Sequence, residues 1–441
     1  MNKVYIDTLG CPKNFNDSET AKGILESHNF VIVNQPDDAD FIIVNTCGFI
    51  NDAKKESIGR IFEMADYKEG AEARKLIVSG CLSERYADDL YAEMPEVDAF
   101  IGVNEYDDLP QILTELENSS ERRIERHGCD LDVLEKKVRK YDSNPYSATL
   151  KIAEGCNNHC AYCVIPSIRG KYRSKREEDI IAEAAELAAR GCRELILIAQ
   201  DVTYYGMDIY GELKLPELLK KLCKVDGIRW IRLMYCYEDR ITDELIEVMA
   251  DEEKICNYID IPIQHASDRI LKSMNRRSTA ESIDTTLRKL RAAIPDIHIR
   301  TTLIVGFPGE TDEDYETLVR FVEKEKFARL GVFAYSQEEN TPAGEMENQI
   351  DESIKQERLD GIMRRQLDIS LEYNKAAIGT SAEVIADSTD EDGSCIGRTR
   401  FDAPEIDDSV IFKPKKAHIP GDIVNVRITD AFDYDLIGEE I

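Results

Sequence analysis

The sequence predicts an α/β protein in three parts: an N-terminal parallel α/β domain, a central partial TIM-like (βα)6 barrel, and a small C-terminal antiparallel β-barrel. Three observations predict it. Over the first hundred residues, short apolar runs alternate with helix-period stretches, as βα units do. From Tyr146 to about Asn374, six more apolar runs recur with helical stretches between them. After Thr380 the composition shifts to Val, Ile, Thr, Gly, Pro and Asp in short alternating runs.

In chain order, Val4 to Thr8 is a short apolar alternation, and Asp17 to Ser27 reads as a helix with Asp17 or Ser18 as its N-cap. Phe41 to Val44, Leu76 to Val78 and Val97 to Ile101 read as strands, with helices over Ile50 to Tyr67 and Ser83 to Glu93. Gln111 to Asp142 is highly charged and reads as a connector with some helix; its Cys129 has no partner spacing. The central strands lie near Thr149 to Ala153, Glu194 to Ala199, Trp230 to Met234, Tyr258 to Ile263, His298 to Val305 and Leu330 to Tyr335. Helices such as Glu177 to Arg190, Thr242 to Asp251 and Glu313 to Glu323 fall between them. In the last part Ala382 to Ala386, Val410 to Phe412 and Ile423 to Ile428 alternate. The expected boundaries are 1–125 for the first domain, 126–144 for a linker, 145–374 for the barrel and 375–441 for the last domain.

The chemistry begins at Cys156-Asn157-Asn158-His159-Cys160-Ala161-Tyr162-Cys163, directly after an apolar run and Glu154-Gly155. Three thiolates at C-x3-C-x2-C can wrap one face of an iron–sulfur cube, offering three ligands where a fully protein-held cluster has four. The fourth iron is left open to a small molecule, as the open position is at catalytic zinc. A zinc site would want a second Cys/His pair at finger spacing, and none follows. A disulfide framework wants an oxidising compartment and usually a short chain. This chain has 441 residues and starts without a basic-then-apolar leader, so a cytoplasmic location with reduced or metal-bound cysteines is expected.

Cys11, Cys47 and Cys81 share one position, each following a strand through two residues. In parallel α/β sheets, ligands bind outside the carboxyl ends of strands, so these three are expected to converge on one edge. The plainer alternative is three separate core cysteines, since free cysteine is often buried.

The net charge of −31 comes from 87 acidic against 56 basic residues. A nucleic-acid partner normally demands a basic face, whereas overall acidity suits a basic protein, of which ribosomal proteins are the obvious class. From Ala376 to the end, fifteen acidic residues face six basic ones. The basic run Arg169-Gly170-Lys171-Tyr172-Arg173, with Lys175 and Arg176, reads as a solvated loop or a patch facing an anionic cofactor. No window holds 18 consecutive apolar residues, so no membrane span is expected.

At these residues the chain resembles the methylthiotransferases, a branch of the radical S-adenosylmethionine (radical SAM) enzymes, over nearly its whole length. The triad Cys156, Cys160, Cys163 with Tyr162 before its last cysteine resembles the radical-enzyme motif. Cys11, Cys47 and Cys81 look like the ligands of the family's second cluster, and the last domain looks like a TRAM domain. Leu9-Gly10-Cys11-Pro12-Lys13-Asn14 with Asp17-Ser18-Glu19 resembles the RimO-type, ribosomal-protein branch; the tRNA branch usually reads Gly-Cys-Gln-Met-Asn there. Gln200 to Gly206, Asp260 to Ser267 and Arg300 to Glu310 fit the same branch.

The resemblance implies two 4Fe-4S clusters and S-adenosylmethionine as cofactors. It implies methylthiolation of an aspartate β-carbon in the twelfth small-subunit ribosomal protein, at the decoding centre. An external electron donor and a sulfur source are then needed; tRNA is the alternative substrate, and the acidic last domain disfavours it. The first cluster would cleave S-adenosylmethionine to a radical that abstracts hydrogen, and the second would hold the sulfur that is methylated and passed on. Tyr162, Gln200, Gln264, Arg300 and Gly306 are the cofactor-contact candidates, Arg300 through its planar fork. The turn from Gly306 to Gly309 reads equally as an ordinary tight turn, and Asp260 and His265 equally as structural hydrogen-bonding groups. Cys192, Cys223, Cys236, Cys256 and Cys395 are expected to pack.

Overall fold

The computed structural model describes residues 2–71, 73–119, 121–125, 137–141 and 146–441. Most of the expected linker at 126–144 lies outside these residues, as does Cys129. The chain gathers into two compact units. The first is Met1–Ser143, Ala153–His159 and Cys163–Arg176; the second is Asn144–Ile152, Cys160–Tyr162 and Glu177–Ile441.

The first unit holds a six-stranded parallel sheet in the order β2-β1-β3-β4-β5-β6. Its strands are β1 (Lys3–Thr8), β2 (Val31–Ile32), β3 (Phe41–Thr46), β4 (Lys75–Gly80), β5 (Ala99–Ile101) and β6 (Arg123–Glu125). Its helices are α1 (Pro12–Ser27), α2 (Asn51–Asp66), α3 (Cys81–Glu93) and α4 (Leu109–Glu117). Alternation along the strands feeds two cores. Ile6, Phe41, Ile43 and Ile77 meet Leu25 of α1 and Leu113 of α4, while Ile42, Val44, Leu76 and Val78 meet Ile61 of α2 and Leu90 of α3. With both faces covered, β3 is buried along its full length, the signature of a central parallel strand. Each fully buried Ile, Leu or Val side chain contributes about 1.5–3 kcal/mol by removal from water.

Two sequence expectations change here. Helix α1 starts at Pro12, not Asp17, because proline is pre-set for a first helical position and follows Cys11 directly. Asp17 and Ser18 are therefore buried interior residues of the helix rather than caps. The stretch after Gln111 is more than a connector: it finishes α4 and adds β6 to the sheet edge.

The chain enters the second unit with β7 (Ser147–Lys151) and returns to the first as β8 (Ala153–Glu154). After the cysteine loop come α5 (Ile165–Arg169) and β9 (Arg173–Ser174), and β9 pairs antiparallel with β8. The second unit then adds α6 (Glu177–Ala189), β10 (Glu194–Ile198), α7 (Met207–Tyr210), α8 (Leu215–Leu222), β11 (Trp230–Leu233), α9 (Asp243–Asp251) and β12 (Ile255–Asp260). It continues through α10 (Asp268–Ser273), α11 (Ala280–Ala293), β13 (His298–Val305), α12 (Asp312–Glu325), β14 (Arg329–Ala334) and the long α13 (Glu352–Ala376). The six strands form one parallel sheet in strict sequence order, β7-β10-β11-β12-β13-β14, with β7 and β14 unpaired to each other. It is the expected partial barrel. Thr279 with Ser282, and Thr311 with Asp314, form capping boxes at α11 and α12, which satisfy otherwise orphaned helix-start amides.

The last five strands are β15 (Ser381–Thr389), β16 (Cys395–Thr399), β17 (Ser409–Lys413), β18 (Ile423–Ala431) and β19 (Asp435–Glu440). They close into a barrel in the order β15-β16-β17-β19-β18. All pairs are antiparallel except β17 with β19, which run parallel. Val384, Val410, Phe412, Val424, Val426 and Ile428 fill its interior, and closure leaves no free edge.

This barrel sits against the inner face of the six-stranded sheet. Ile196, Ile198, Trp230 and Tyr258 pack with Ile385 and Ala403. Charged groups surround that contact. Glu194 lies 2.8 Å from Arg232 and 2.6 Å from Arg398, and Arg329 lies 2.6 Å from Asp402 and 3.1 Å from Asp408. The Arg232 guanidinium also donates to the carbonyl of Arg400 at 3.0 Å, and the Tyr146 hydroxyl to Asp387 at 2.9 Å. No helix among the described residues is long and apolar enough to cross a membrane.

Candidate active site with two cysteine triads

Cys11, Cys47 and Cys81 follow β1, β3 and β4 at the carboxyl edge of the first sheet, with Cys81 opening α3. Gly10 makes their approach possible. It sits at φ +94, and a Cβ there would lie 2.8 Å from the Cys47 Cβ and 3.2 Å from its Sγ, so only glycine fits. The three sulfurs are close enough to act on one another electrostatically: burial pushes the Cys47 thiol up to about 11, and Cys81 and Cys11 push in the same direction. Any metal taken up there would have to displace protons. Among the described residues no three His, Cys, Asp or Glu side chains converge on a single metal ion. A cube instead takes one thiolate per iron, so its ligands stand apart.

Polar groups lock these turns. The Ser57 hydroxyl accepts from the Cys47 amide at 3.0 Å and donates to the Cys47 carbonyl at 2.9 Å. The Asn14 side-chain amide donates to the Leu9 carbonyl at 2.9 Å and the Thr46 carbonyl at 3.0 Å. Those carbonyls lie two residues before Cys11 and one before Cys47. Asn45 in turn donates to the Asn14 carbonyl and the Ser18 hydroxyl, both at 2.9 Å. Asn14, Asp17 and Ser18, three polar residues of the Leu9 to Glu19 motif, are thus one buried helix face turned to the cysteines.

The second triad lies on the loop that β8 and β9 clasp. Gly155, at φ +79, precedes Cys156, and a Cβ there would meet the Lys171 carbonyl at 2.1 Å. Backbone amides point at sulfur: Asn158 N to Cys156 Sγ and Ile165 N to Cys163 Sγ, each 3.4 Å. Val164, next to Cys163, and Ile168 of α5 pack with Cys81. In the second unit the Cys160 Sγ lies 3.2 Å from the Tyr237 hydroxyl. The Arg276 guanidinium stacks 4.6 Å over the Tyr237 ring and binds Glu238 through 2.6 and 2.8 Å contacts.

The remaining candidates divide. Tyr162 is half-buried against Ala161, Ile304, Phe307 and Tyr335. Gln200 stands two residues beyond β10. Gln264 lies past the end of β12 at φ +68, unusual for a side-chain-bearing residue, and its buried Oε1 has no hydrogen-bond partner. Gln264 thus combines a left-handed backbone with an unsatisfied acceptor at a strand end. Arg300 is placed otherwise. It is the third residue of β13, and its guanidinium lies 3.0 Å from Asp260 and 3.4 Å from Asp407 of the C-terminal barrel. Gly306, at φ +70, has the Lys355 stem where a side chain would be, with Cγ at 2.2 Å from a built Cβ. The turn is tied from within: Glu310 accepts from the Gly306 amide, and His265 Nε2 lies 3.2 Å from it. Asp260 and His265 are structural in these contacts. Cys192, Cys223, Cys236, Cys256 and Cys395 are buried.

Sequence reasoning missed Tyr237 and Arg276. The basic run from Arg169 is not a solvated loop: Arg169, Arg173 and Lys175 are 2%, 3% and 6% exposed. Its signal was positional, since it starts six residues after Cys163.

The Radical SAM superfamily profile matches residues 150–322, that of the uncharacterized protein family UPF0004 matches 3–102, and that of the TRAM domain matches 378–441. The ribosomal protein uS12 methylthiotransferase RimO of Lachnoclostridium phytofermentans is 48% identical over 439 residues, covering 99% of both chains. Its namesake in Clostridioides difficile is 48% identical over 440 residues, covering 100% of this chain and 99% of that one. Among solved structures, the radical S-adenosylmethionine methyltransferase TsrM of Kitasatospora setae, with cobalamin and a [4Fe-4S] cluster bound, aligns with TM-score 0.57 at 14% identity. It covers 78% of this chain and 74% of its own. The cobalamin-dependent radical enzyme OxsB aligns with TM-score 0.52 at 12% identity over 84% and 58% of the two chains. At such identities these two speak for the fold alone.

Proposed function

The chain belongs to the family of ribosomal protein uS12 methylthiotransferases, and on that premise we propose how its residues share the work. It is a radical SAM methylthiotransferase with two 4Fe-4S clusters. Cys156, Cys160 and Cys163 hold one cluster, and Cys11, Cys47 and Cys81 hold the other. When bound, the first would supply the electron that cleaves S-adenosylmethionine and the second would hold the sulfur that is transferred; that chemistry is the cofactors' own. The protein positions and insulates. The Asn158 and Ile165 amides and the Tyr237 hydroxyl steady the thiolates of Cys156, Cys163 and Cys160. Gln264 offers its free carboxamide oxygen to the cofactor's polar end, and Tyr162 and Gln200 are further contact candidates, while Arg300 ties β13 to Asp260 and to Asp407 of the C-terminal barrel. Domains are assigned at 1–125, 145–374 and 375–441. The substrate is the aspartate side chain of a basic small-subunit protein, met in the cytoplasm, with reductant and sulfur supplied from outside.

The placement of Cys11, Cys47 and Cys81 at the carboxyl ends of β1, β3 and β4 supports this reading, because a second open triad is what sulfur transfer needs beyond radical generation. Iron counting tests it. Changing Cys156, Cys160 and Cys163 to Ala should leave roughly four of about eight irons, and changing the other three should do the same. A folded triple variant that loses all iron, or none, removes the two-site assignment. Mass spectrometry of the ribosomal protein and of tRNA, from cells with and without the gene, then decides the substrate. A methylthio group on tRNA and none on the protein would overturn it.

A further inference from the structure

Arg169 closes α5, six residues beyond Cys163, yet its guanidinium belongs to the other triad. One nitrogen, Nη1, lies 2.6 Å from Asp17 and 3.5 Å from Glu154. The other, Nη2, donates to the Asn14 Oδ1 at 2.7 Å and to the Cys81 Sγ at 3.3 Å. Asn14 is the residue whose amide holds the turns before Cys11 and Cys47. A buried cation is costly unless paired and fully bonded, and this one is paired on one edge while its other edge addresses sulfur. A plain structural ion pair would not need that second edge.

We propose that Arg169 is a positioning residue of the sulfur-bearing cluster, fixing the Cys81 sulfur and setting the reduction potential of the iron bound there. The inference rests on the assignment of a cluster to Cys11, Cys47 and Cys81. The physical basis is direct. Reduction adds negative charge to the cluster, and a cationic donor on a ligand sulfur favours that charge. Asp17, on the far side of the guanidinium, works against it. Lysine keeps the charge but has no planar fork, so it cannot bind Asp17 and reach Asn14 and Cys81 together.

The two neighbours therefore give opposite shifts, which damage to the fold would not. The measurement uses the full chain carrying Cys156→Ala, Cys160→Ala and Cys163→Ala, so that the remaining cluster is titrated alone and followed by its electron paramagnetic resonance signal. Arg169→Lys should weaken the preference for the reduced state about tenfold, a downward shift of about 59 mV for one electron. Asp17→Asn should move it upward. Unmoved potentials in both variants, with the cluster intact, overturn the proposal, as does a downward shift in both. Should Arg169→Lys fail to hold iron, Asp17→Asn alone decides, an upward shift supporting the proposal and none overturning it. A parent triple variant with no iron at all defeats the two-triad reading itself, and this inference with it.

Discussion

Arg169 and Arg329 are both buried guanidiniums set between carboxylates, one in each unit, and they do different things. Arg169 divides its donors between Asp17 and a thiol. Arg329 spends its donors on acids and a carbonyl, with Asp402 at 2.6 Å and Asp408 at 3.1 Å. Burial of a charge by itself therefore says little about chemistry. What separates a tuning group from a fastener is whether one edge of the fork meets a sulfur able to ligate a metal. Arg329 meets only carboxylates and a carbonyl: burial tends to raise the Asp402 carboxyl, but the guanidinium and the Thr399 hydroxyl hold it below its usual range.

The largest expected effect tests the fastener. Arg329→Ala leaves Asp402 and Asp408 buried without their cation and should cost about 3–5 kcal/mol, read as a lower midpoint of denaturant unfolding. Replacing Arg329, Asp402 and Asp408 together by apolar residues of similar volume should recover most of that loss. If the single variant is as stable as the parent, the ion pairs do not hold the C-terminal barrel in place.

A smaller effect comes from pH. His298 stacks 4.3 Å from Phe401, with Tyr373 at 5.6 Å. Burial first, and then Arg329, lower its pKa from 6.5 to about 4. The folded protein thus keeps this imidazole neutral where the unfolded chain would protonate it. Stability from His298 is full above the unfolded value and is lost as pH falls from 6.5 toward 4. The loss should reach ~1–2 kcal/mol by about pH 5, after allowing for partial exposure. Asp408, raised by burial to about 7, works in the opposite sense, so His298→Phe must be compared with the parent at each pH. A difference between the two that does not grow on acidification would show that the ring is not held neutral.

The smallest effect concerns surface acids. Of the eight acids between Asp387 and Asp408, the charge pattern reads all as a face for a basic partner. Four of them, Asp387, Asp402, Asp407 and Asp408, instead meet Arg398, Arg300 and Arg329. Asp390, Glu391, Asp392 and Glu405 stay exposed. Neutralising these four should change stability by no more than about 0.5 kcal/mol. It should weaken binding to the ribosomal protein severalfold at low salt and less at high salt. Unchanged affinity at low salt would mean that they only keep the domain soluble.

These cases show what was legible. The alternation of strands with helices, and the place of each cysteine just past a strand, follow from period and spacing, which are local properties. The buried face of α1 was not legible, because Asp17 and Ser18 look like capping residues until Pro12 is known to open the helix. Arg300 misled for a related reason: a fork suited to a carboxylate says nothing of whose carboxylate, and Asp260 and Asp407 reach it from two directions. Gln264 was legible as a strand-end amide, but its left-handed backbone and orphaned oxygen exist only in the folded chain. Tyr237 and Arg276 gave no linear signal, being brought to Cys160 by the turns after β11 and α10.

The charged contact beneath the six-stranded sheet also bears on how the protein is made. Strands β10 to β14 pair in the order in which they leave the ribosome, so the sheet can assemble as it is synthesised. Its partner barrel is encoded last. Until then the inner face is uncovered, and a face of aliphatic side chains alone would be an adhesive patch on a half-built protein. Glu194, Arg232, Arg300 and Arg329 instead give it groups that water can hold. The same side chains that later fasten the two pieces keep the waiting nascent chain wetted and apart from its neighbours.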